Sequence, residues 1–449
     1  MSAVIVGGNI SGLITAISLK RIGISASVVE ARNVVTPRNQ LYTGLWNPAV
    51  SILSKLGIYE DIKQHMHPMR TISFKNQVGG NLVHSNSPLE LPFEHPSFVS
   101  VRSDILVDSL LSHLQQDVTL NFDVSKVYRN KSTAVVESSD GKTVTGDFIV
   151  AADGQSSIVR RCLFPSNSTI PQGAIKYTVY SGHTAAGFLP ETISMEDMSL
   201  FCGYKLRFGL MPTQDGVAWY IATKQQLQQS HADLSTLVDS LGTGWYQSLS
   251  TIVKNTDGGS DGIAEHPVRE SPWKYKGWEA LLLTDHGSTA EEPVPAVEPI
   301  NTMRKTSMSD AIRRSVERIQ TAPLVFYVGD AAASVDPVLT QGTGLAIESA
   351  YGLANTIQES GAWGTGPLDS SSDDDTASWS SLDKLKSHMV NFETTRFNRY
   401  KKLRSLTNAM KVFEFENKSL CACRDTFFGL VPQAIKGRVL DAAIYRSLN

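Results

Sequence analysis

The stretch that most constrains the fold lies in the C-terminal third. A hydrophobic run, Pro323–Val328, ends in Gly329-Asp330-Ala331-Ala332. Pro337 and the loop Gln341-Gly342-Thr343-Gly344 follow, and a helical pattern then runs from Leu345 to Ile357. An acid and a glycine loop between a buried strand and a helix call for a parallel α/β layer with a ligand at the strand ends. A helix beginning near Thr343 would turn free N–H groups and its positive end toward an electron-rich ligand.

The N-terminus carries a second unit of this kind. Ala3–Val6 is wholly apolar, as a buried parallel strand should be. Gly7-Gly8-Asn9-Ile10-Ser11-Gly12 follows, then a helical pattern over Leu13–Ile22 and a second strand, Ser25–Val29, ending in Glu30. This is the pattern of a dinucleotide-binding βαβ unit. Gly7 permits the tight turn, Gly12 lets helix and strand pack closely, and the helix N-terminus faces a pyrophosphate. Glu30, about 20 residues on, can accept from ribose hydroxyls. The middle glycine of the pattern is replaced by Asn9, a residue that tolerates left-handed backbone but whose Cβ should crowd the phosphates.

Between these units, Tyr42–Gly57 reads as a loop and a helix with Gly57 as C-cap. Val101-Arg102-Ser103-Asp104 opens a helix with Ser103 as candidate N-cap. Val118–Phe122, Val124–Tyr128, Thr133–Ser138 and Thr143–Thr145 read as short antiparallel strands, with Asp140-Gly141 as a hairpin turn. A third buried strand, Asp147–Ala152, then runs into Asp153-Gly154 and a helix bearing Arg160 and Arg161.

Three such strand ends in this order resemble the single-component FAD-dependent monooxygenases of the aromatic-hydroxylase (p-hydroxybenzoate hydroxylase-like) type. The chain is a divergent relative by this measure. Ala333 stands where the family usually has His, Thr340 where it has Gly, and Gly344 where it has Asn. The resemblance implies FAD as cofactor, held by Gly7, Gly8, Asn9, Ser11, Gly12, Glu30, Ala31, Arg32, Thr43, Arg102, Asp153, Gly154, Gly329, Asp330, Pro337, Gln341, Gly342, Thr343 and Gly344. In it Asp330 contacts the ribityl or ribose region, and Pro337 with Gln341–Gly344 approach the isoalloxazine ring. The implied cycle uses NAD(P)H as cosubstrate to reduce FAD, and O2 then gives a flavin C4a-hydroperoxide. One oxygen passes to a small organic substrate, aromatic or a secondary metabolite, by hydroxylation, epoxidation or, in some relatives, Baeyer–Villiger insertion. No protein side chain is implied as catalytic base.

The expected fold class is α/β, a Rossmann-like FAD-binding domain with a parallel sheet, interleaved with a β-sheet-rich substrate domain and C-terminal helices. The expected boundaries are 1–170 and 320–360 for the FAD-binding domain and 171–319 for the substrate domain. A flexible loop at 361–383 and a helical region at 384–449 complete the chain. The Ser- and Asp-rich loop cannot bury much apolar surface. The long patterns Leu385–Glu416 and Phe427–Leu448 read as helices, the former rich in Lys and Arg, whose commoner setting is a solvated face.

Composition bounds the alternatives. With 41% hydrophobic residues, 19% charged and a net charge of −3, the chain reads as soluble and globular, with no nucleic-acid footprint. Four cysteines argue against a disulfide framework and fit a reducing, cytoplasmic setting. Cys421 and Cys423 lack the companions of a metal site. The N-terminus lacks the basic start of a signal peptide, and no apolar run is long enough to span a bilayer. Two other readings stay open: an FAD-dependent oxidase or reductase on the same fold, and a non-catalytic binding protein that has kept it. The Trp-x-Trp-x-Ile-Pro signature of flavin halogenases is absent.

Overall fold

A computed structural model describes residues 1–35, 42–85, 94–114, 117–130, 133–163, 175–204, 206–223, 245–269, 324–361, 375–410 and 417–448. The sequence also reads as a helix at 234–241, a strand at 281–284, a proline-rich excursion at 285–302 and a basic helix at 306–320, and all four lie outside these residues.

The apolar runs that precede the three motifs, together with Ser25–Val29 and Val118–Thr119, form a five-stranded parallel sheet. Its order is Val325–Tyr327, Phe148–Ala151, Ser2–Val6, Ser25–Val29, Val118–Thr119. The three strands that carry the glycine and acid motifs are therefore immediate neighbours, and all point the same way. One face of the sheet packs on helices Ile10–Arg21 and Gln341–Ser360, with Leu13, Ile14, Val28, Phe148, Phe326 and Ile347 in its core. The other face is covered by an antiparallel three-stranded meander, Val124–Asn130, Thr133–Ser138 and Thr143–Gly146. Gly141, at φ 83°, makes the turn of its last hairpin. The expectation of four antiparallel strands is corrected at one end. Val118–Thr119 joins the parallel sheet at its edge because Val28 and Val29 offer it an open ladder.

The second large layer is a seven-stranded, mostly antiparallel sheet built chiefly from 175–185, 197–202, 206–212, 216–223 and 264–269. Two further strands, Thr71–Asn76 and Asn81–His84, come from the segment expected to serve the nucleotide fold alone. One face of this sheet meets helix Gln247–Lys254 around Phe208, Trp219 and Ile252. The other meets Trp46, Phe98, Val338 and Leu339, so it looks toward the Gln341 loop.

Three local expectations change. Tyr42–Trp46 is a strand paired with Phe98–Arg102, not a loop, because the partner strand buries Thr43 and Leu45. Helix Ser103–Ser112 takes Arg102 as its cap residue, without a side-chain cap, and Ser103 is buried inside it. Of the expected loop 361–383, residues 362–374 lie outside the described residues, and 375–383 instead begin a helix, Asp375–Met410. Ser and Asp favour helix starts as well as loops, since their oxygens accept from free N–H groups and the charge suits the positive helix end.

That long helix straps the molecule. Buried Arg396 donates to the Tyr327 carbonyl at 2.6 Å, to Ser349 Oγ at 2.8 Å and to Glu393 at 2.5 Å. Arg399 pairs with Glu348 at 3.1 Å. Arg396→Ala leaves Glu393 and the Tyr327 carbonyl without their donor, so a loss of about 3 kcal/mol is expected in a denaturant titration. An unchanged midpoint would show that the strap carries no stability.

Candidate cofactor site

The Gly7–Gly12 loop turns where the first strand ends. Gly7 has φ 109°, and a Cβ there would sit 2.5 Å from the Ala152 carbonyl oxygen. The loop is thus pressed against the strand end that carries Asp153. Gly329, at φ 55°, comes so close to Ser11 that a Cβ would lie 2.7 Å from its hydroxyl. The three motifs touch one another through backbone that only glycine permits.

Asn9 behaves differently from its sequence expectation. It is extended, at φ −89° and ψ −179°, not left-handed. Its side chain folds back as the N-cap of helix Ile10–Arg21. Oδ1 accepts from Gly12 N at 3.2 Å and Ser11 Oγ at 2.6 Å, and Nδ2 donates to the Ala152 carbonyl at 2.5 Å. The side chain stitches two motifs together and occupies one N–H of the helix start. Asn9→Gly is expected to cost under about 1 kcal/mol in a melting experiment. By releasing that N–H it should tighten FAD binding about threefold to tenfold in a fluorescence titration.

Glu30 is buried, and its carboxylate accepts from Gly8 N at 2.8 Å, Arg32 N at 3.1 Å and Arg32 Nε at 2.8 Å. Burial pushes its pKa up, but the bonds from Arg32 and Gly8 outweigh this and hold it below the usual range. Three of about four acceptor directions are used, leaving room for one hydroxyl. Ala31 is exposed beside it.

Burial raises the pKa of Asp153 against the pull of Ser157 and the Val159 N–H. One of its oxygens, Oδ1, is buried without a hydrogen-bond partner. Arg160, from the following helix, donates to the Ala331 carbonyl and lies 5.6 Å over the Tyr327 ring. Asp330 is open to solvent yet surrounded by protein, as a group lining a hollow is. That enclosure pushes its pKa up to about 6, against a bond from Gln155.

The second half of the site forms around the start of helix Gln341–Ser360. Pro337 opens a 3-10 turn, Pro337–Leu339. Thr340 then adopts left-handed backbone at φ 52° and gives the helix no side-chain cap. The first helical N–H groups thus lack a local acceptor. Gln341 is buried with its Nε2 unpartnered, and the space before Gly342 and Gly154 is open. Thr43 donates to Thr343 at 2.8 Å, and Gly344 packs on Ala49. Arg102 sits one strand over from Thr43, but its guanidinium forks onto Asp104 at 2.6 and 3.1 Å, which holds its pKa high. That fork engages Asp104 rather than another of the predicted cofactor residues.

Sequence reasoning missed two groups here. Arg207, buried on the seven-stranded sheet, lies 3.5 Å from Asp336 and between the rings of Tyr177 and Tyr220. It ties that sheet to the turn before Pro337. Tyr42 stacks on His183 and donates to Asp215 at 2.9 Å, while His183 also meets Asp257 at 2.5 Å. Burial and Asp215 raise the Tyr42 pKa. Both groups join residues far apart in the chain, and such pairs leave no local pattern.

Residues 1–216 match the family model described as "FAD binding domain". The chain is 28% identical over 244 residues to the FAD-dependent monooxygenase olcE of Penicillium canescens, covering 51% of each protein. It is 25% identical over 374 residues to the FAD-dependent monooxygenase dpchE of Colletotrichum higginsianum, covering 79% of this chain and 71% of that one. By these likenesses it resembles, as a divergent relative, the p-hydroxybenzoate hydroxylase-like FAD-dependent monooxygenases. The match to olcE spans about half of that relative's length. The family's fold is met again in Klebsiella pneumoniae HpxO, solved in complex with FAD and uric acid. There the TM-score is 0.67 at 18% identity, covering 99% of this chain and 97% of that one. Pseudomonas aeruginosa PqsL, as a four-substitution variant, gives 0.64 at 16% identity, covering 95% and 99%. Among the described residues no helix is long and apolar enough to cross a membrane.

Proposed function

We propose that the chain is an FAD-dependent monooxygenase that uses NAD(P)H and O2 to hydroxylate or epoxidise a small organic substrate. The observation that carries this reading is the convergence of three motifs at the ends of three adjacent parallel strands. The site fits the cofactor on its own evidence. Asp330 faces a hollow, Gln341 Nε2 and Asp153 Oδ1 are buried without partners, and the space before Gly154 and Gly342 is open.

When bound, FAD supplies the redox chemistry, taking a hydride from the nicotinamide and activating O2 so that one oxygen atom reaches the substrate. The protein's part is position and electrostatics. Gly7–Gly12 and the start of the first helix would take the pyrophosphate, and the last free direction on Glu30 a ribose hydroxyl. Asp330 would accept from the ribityl or ribose region, with Asp153, Gly154 and Gly329 packed against it. Gln341–Gly344 would donate N–H groups to the ring, where an uncapped helix start favours negative charge. Ala31, Arg32, Thr43, Arg102 and Pro337 would complete the walls. The apolar face around Trp46, Phe98, Met211 and Leu339 is suited to keep water from the reacting atoms.

The test is reconstitution. Purified protein should take up FAD, and with the right substrate it should consume NAD(P)H and place label from 18O2 in the product. Substrate-stimulated turnover that yields only peroxide would favour an oxidase on the same fold. A protein that cannot take up FAD would leave the non-catalytic reading.

A further inference from the structure

Two strands of the seven-stranded sheet, Thr71–Asn76 and Asp197–Cys202, run side by side in parallel. Their two faces carry opposite chemistry, since side chains alternate across a strand. Ile72, Phe74, Met198 and Leu200 enter the apolar cluster of Trp46 and Leu339, on the side of the cofactor loop. Thr71, Ser73, Lys75, Asp197, Ser199 and Phe201 stand on the other side. A cavity of about 240 Å3 lies there, and Lys75, Asp197, Ser199 and Phe201 line it together with Ile193 and Leu210.

Asp197 and Lys75 are mostly enclosed, with 8% and 21% of their side-chain surface exposed. The Asp197 Oδ1 accepts from Thr71 Oγ1 and Ser73 Oγ, both at 2.8 Å, and its Oδ2 from Ser199 Oγ at 2.7 Å. Three of about four acceptor directions are filled, and the one left is on Oδ2. Lys75 Nζ is 3.9 Å from that oxygen and 5.4 Å from the centre of the Phe201 ring. At that distance it makes no hydrogen bond to the carboxylate, and among the described residues no other acceptor takes its N–H groups. His84 is 4.0 Å from the carboxylate and 2.6 Å from the Ser73 hydroxyl, but it does not line the cavity.

Charges taken out of water are costly unless they are bonded. A pair that served only to neutralise itself would close to hydrogen-bond distance. Here the two charges stand apart on the wall of one cavity, and among its described lining they are the only charges. A simple anion would meet Lys75 but also face Asp197, and a simple cation would meet the reverse. A ligand that carries both charges close together satisfies both. The cavity is smaller than the roughly 300–1,000 Å3 of sites for drug-sized ligands, so its occupant is a small metabolite. Ile193, Phe201 and Leu210 give that occupant an apolar wall.

We propose that this cavity is a second small-molecule site, on the face of the sheet turned away from the cofactor loop, for a free α-amino acid with an apolar side chain. The carboxylate would lie on Lys75, the ammonium on the last free direction of Asp197, and the side chain against Phe201 and Leu210. The inference does not depend on the monooxygenase reading.

The experiment is calorimetric titration of the full chain with L-leucine and with two analogues that each lack one charge. 4-Methylpentanoate lacks the ammonium, and isoamylamine lacks the carboxylate. The native chain should bind leucine, and each analogue about tenfold more weakly or worse. Lys75→Met should bring leucine down to the level of isoamylamine. The analogues decide the matter on the native chain even where the variant folds poorly. The proposal is overturned if leucine does not bind, or if either analogue binds as well as leucine. It is equally overturned if folded Lys75→Met protein binds leucine as tightly as the native chain, for the leucine then sits elsewhere.

Discussion

Gly12→Ala is expected to abolish accumulation of folded protein, whereas Gly342→Ala should fold as the native chain does. Both replace a glycine of a motif loop by the smallest side chain, and both positions lie at the start of a helix. On propensity alone each change would favour the helix by up to about 1 kcal/mol. The difference lies in what a Cβ would meet. At Gly12 it would overlap the Gly7 carbonyl oxygen, which is backbone and cannot swing aside. Gly7 is itself held, since its N–H donates to the Val29 carbonyl at 2.8 Å and its φ of 109° has no nearby alternative. Relief would require the helix to move off the sheet, where Leu13, Ile14 and Ile17 are buried. Overpacking of this kind costs about 1–3 kcal/mol where side chains can adjust, and more where they cannot. At Gly342 nothing lies within contact distance. Soluble yield and thermal melting of the two apoproteins decide the matter. A Gly12→Ala protein that folds normally would mean the loop is looser than the geometry describes. Gly342→Ala then becomes the informative variant for the cofactor, because a fold-neutral change there reports only on what fills the space in front of it.

The contrast also explains what was legible in the sequence. Runs such as Ala3–Val6 and Phe148–Ala151 are apolar throughout because both faces of a parallel sheet are covered. Each is followed by a glycine whose positive φ leaves few substitutes, so strand, turn and helix could be read in order. The strand Tyr42–Trp46 escaped because Thr43 and Gly44 weaken its local pattern. Gly44 is needed there because Thr340 packs against it across the chain. Arg207 with Asp336, and Arg396 with the Tyr327 carbonyl, escaped for a related reason. A charged residue next to apolar ones reads as a solvated face until the fold supplies a distant partner. Asn9 shows the limit from the other side. Its place in the loop was visible, but its role as a cap depended on how the Ala152 carbonyl was brought to it.

Asp330→Ala should release FAD, and the direction in which it changes the apoprotein separates holding from folding. The carboxyl lies in a hollow enclosed by protein, and that enclosure lifts its pKa to about 6. Its ordinary value is near 3.8, so between about 4 and 6 the folded chain binds more protons than the unfolded one. Apoprotein stability therefore falls as pH rises through that window, and the ionised group is a burden to the empty fold at neutral pH. Asp330→Asn removes the burden, so the apoprotein should melt no lower than the native chain at pH 7, and its melting should lose the dependence on pH between 4 and 6. Cofactor binding should move the opposite way. An ionised acceptor of a hydroxyl contributes about 1.5–3 kcal/mol, so either substitution is expected to weaken FAD binding by roughly tenfold to a hundredfold. In the native chain the same loss should set in as pH drops through about 6 and the carboxylate is protonated. Flavin-fluorescence titrations from pH 5 to 8 on the native and Asp330→Asn proteins read both effects. Equal affinities at pH 7.5 would remove Asp330 from the cofactor site. A substitution that lowered affinity and melting temperature together would mark it as a structural residue instead. Only the divergence, a firmer empty fold with a weaker grip on FAD, is the signature of a carboxylate kept in place for its ligand.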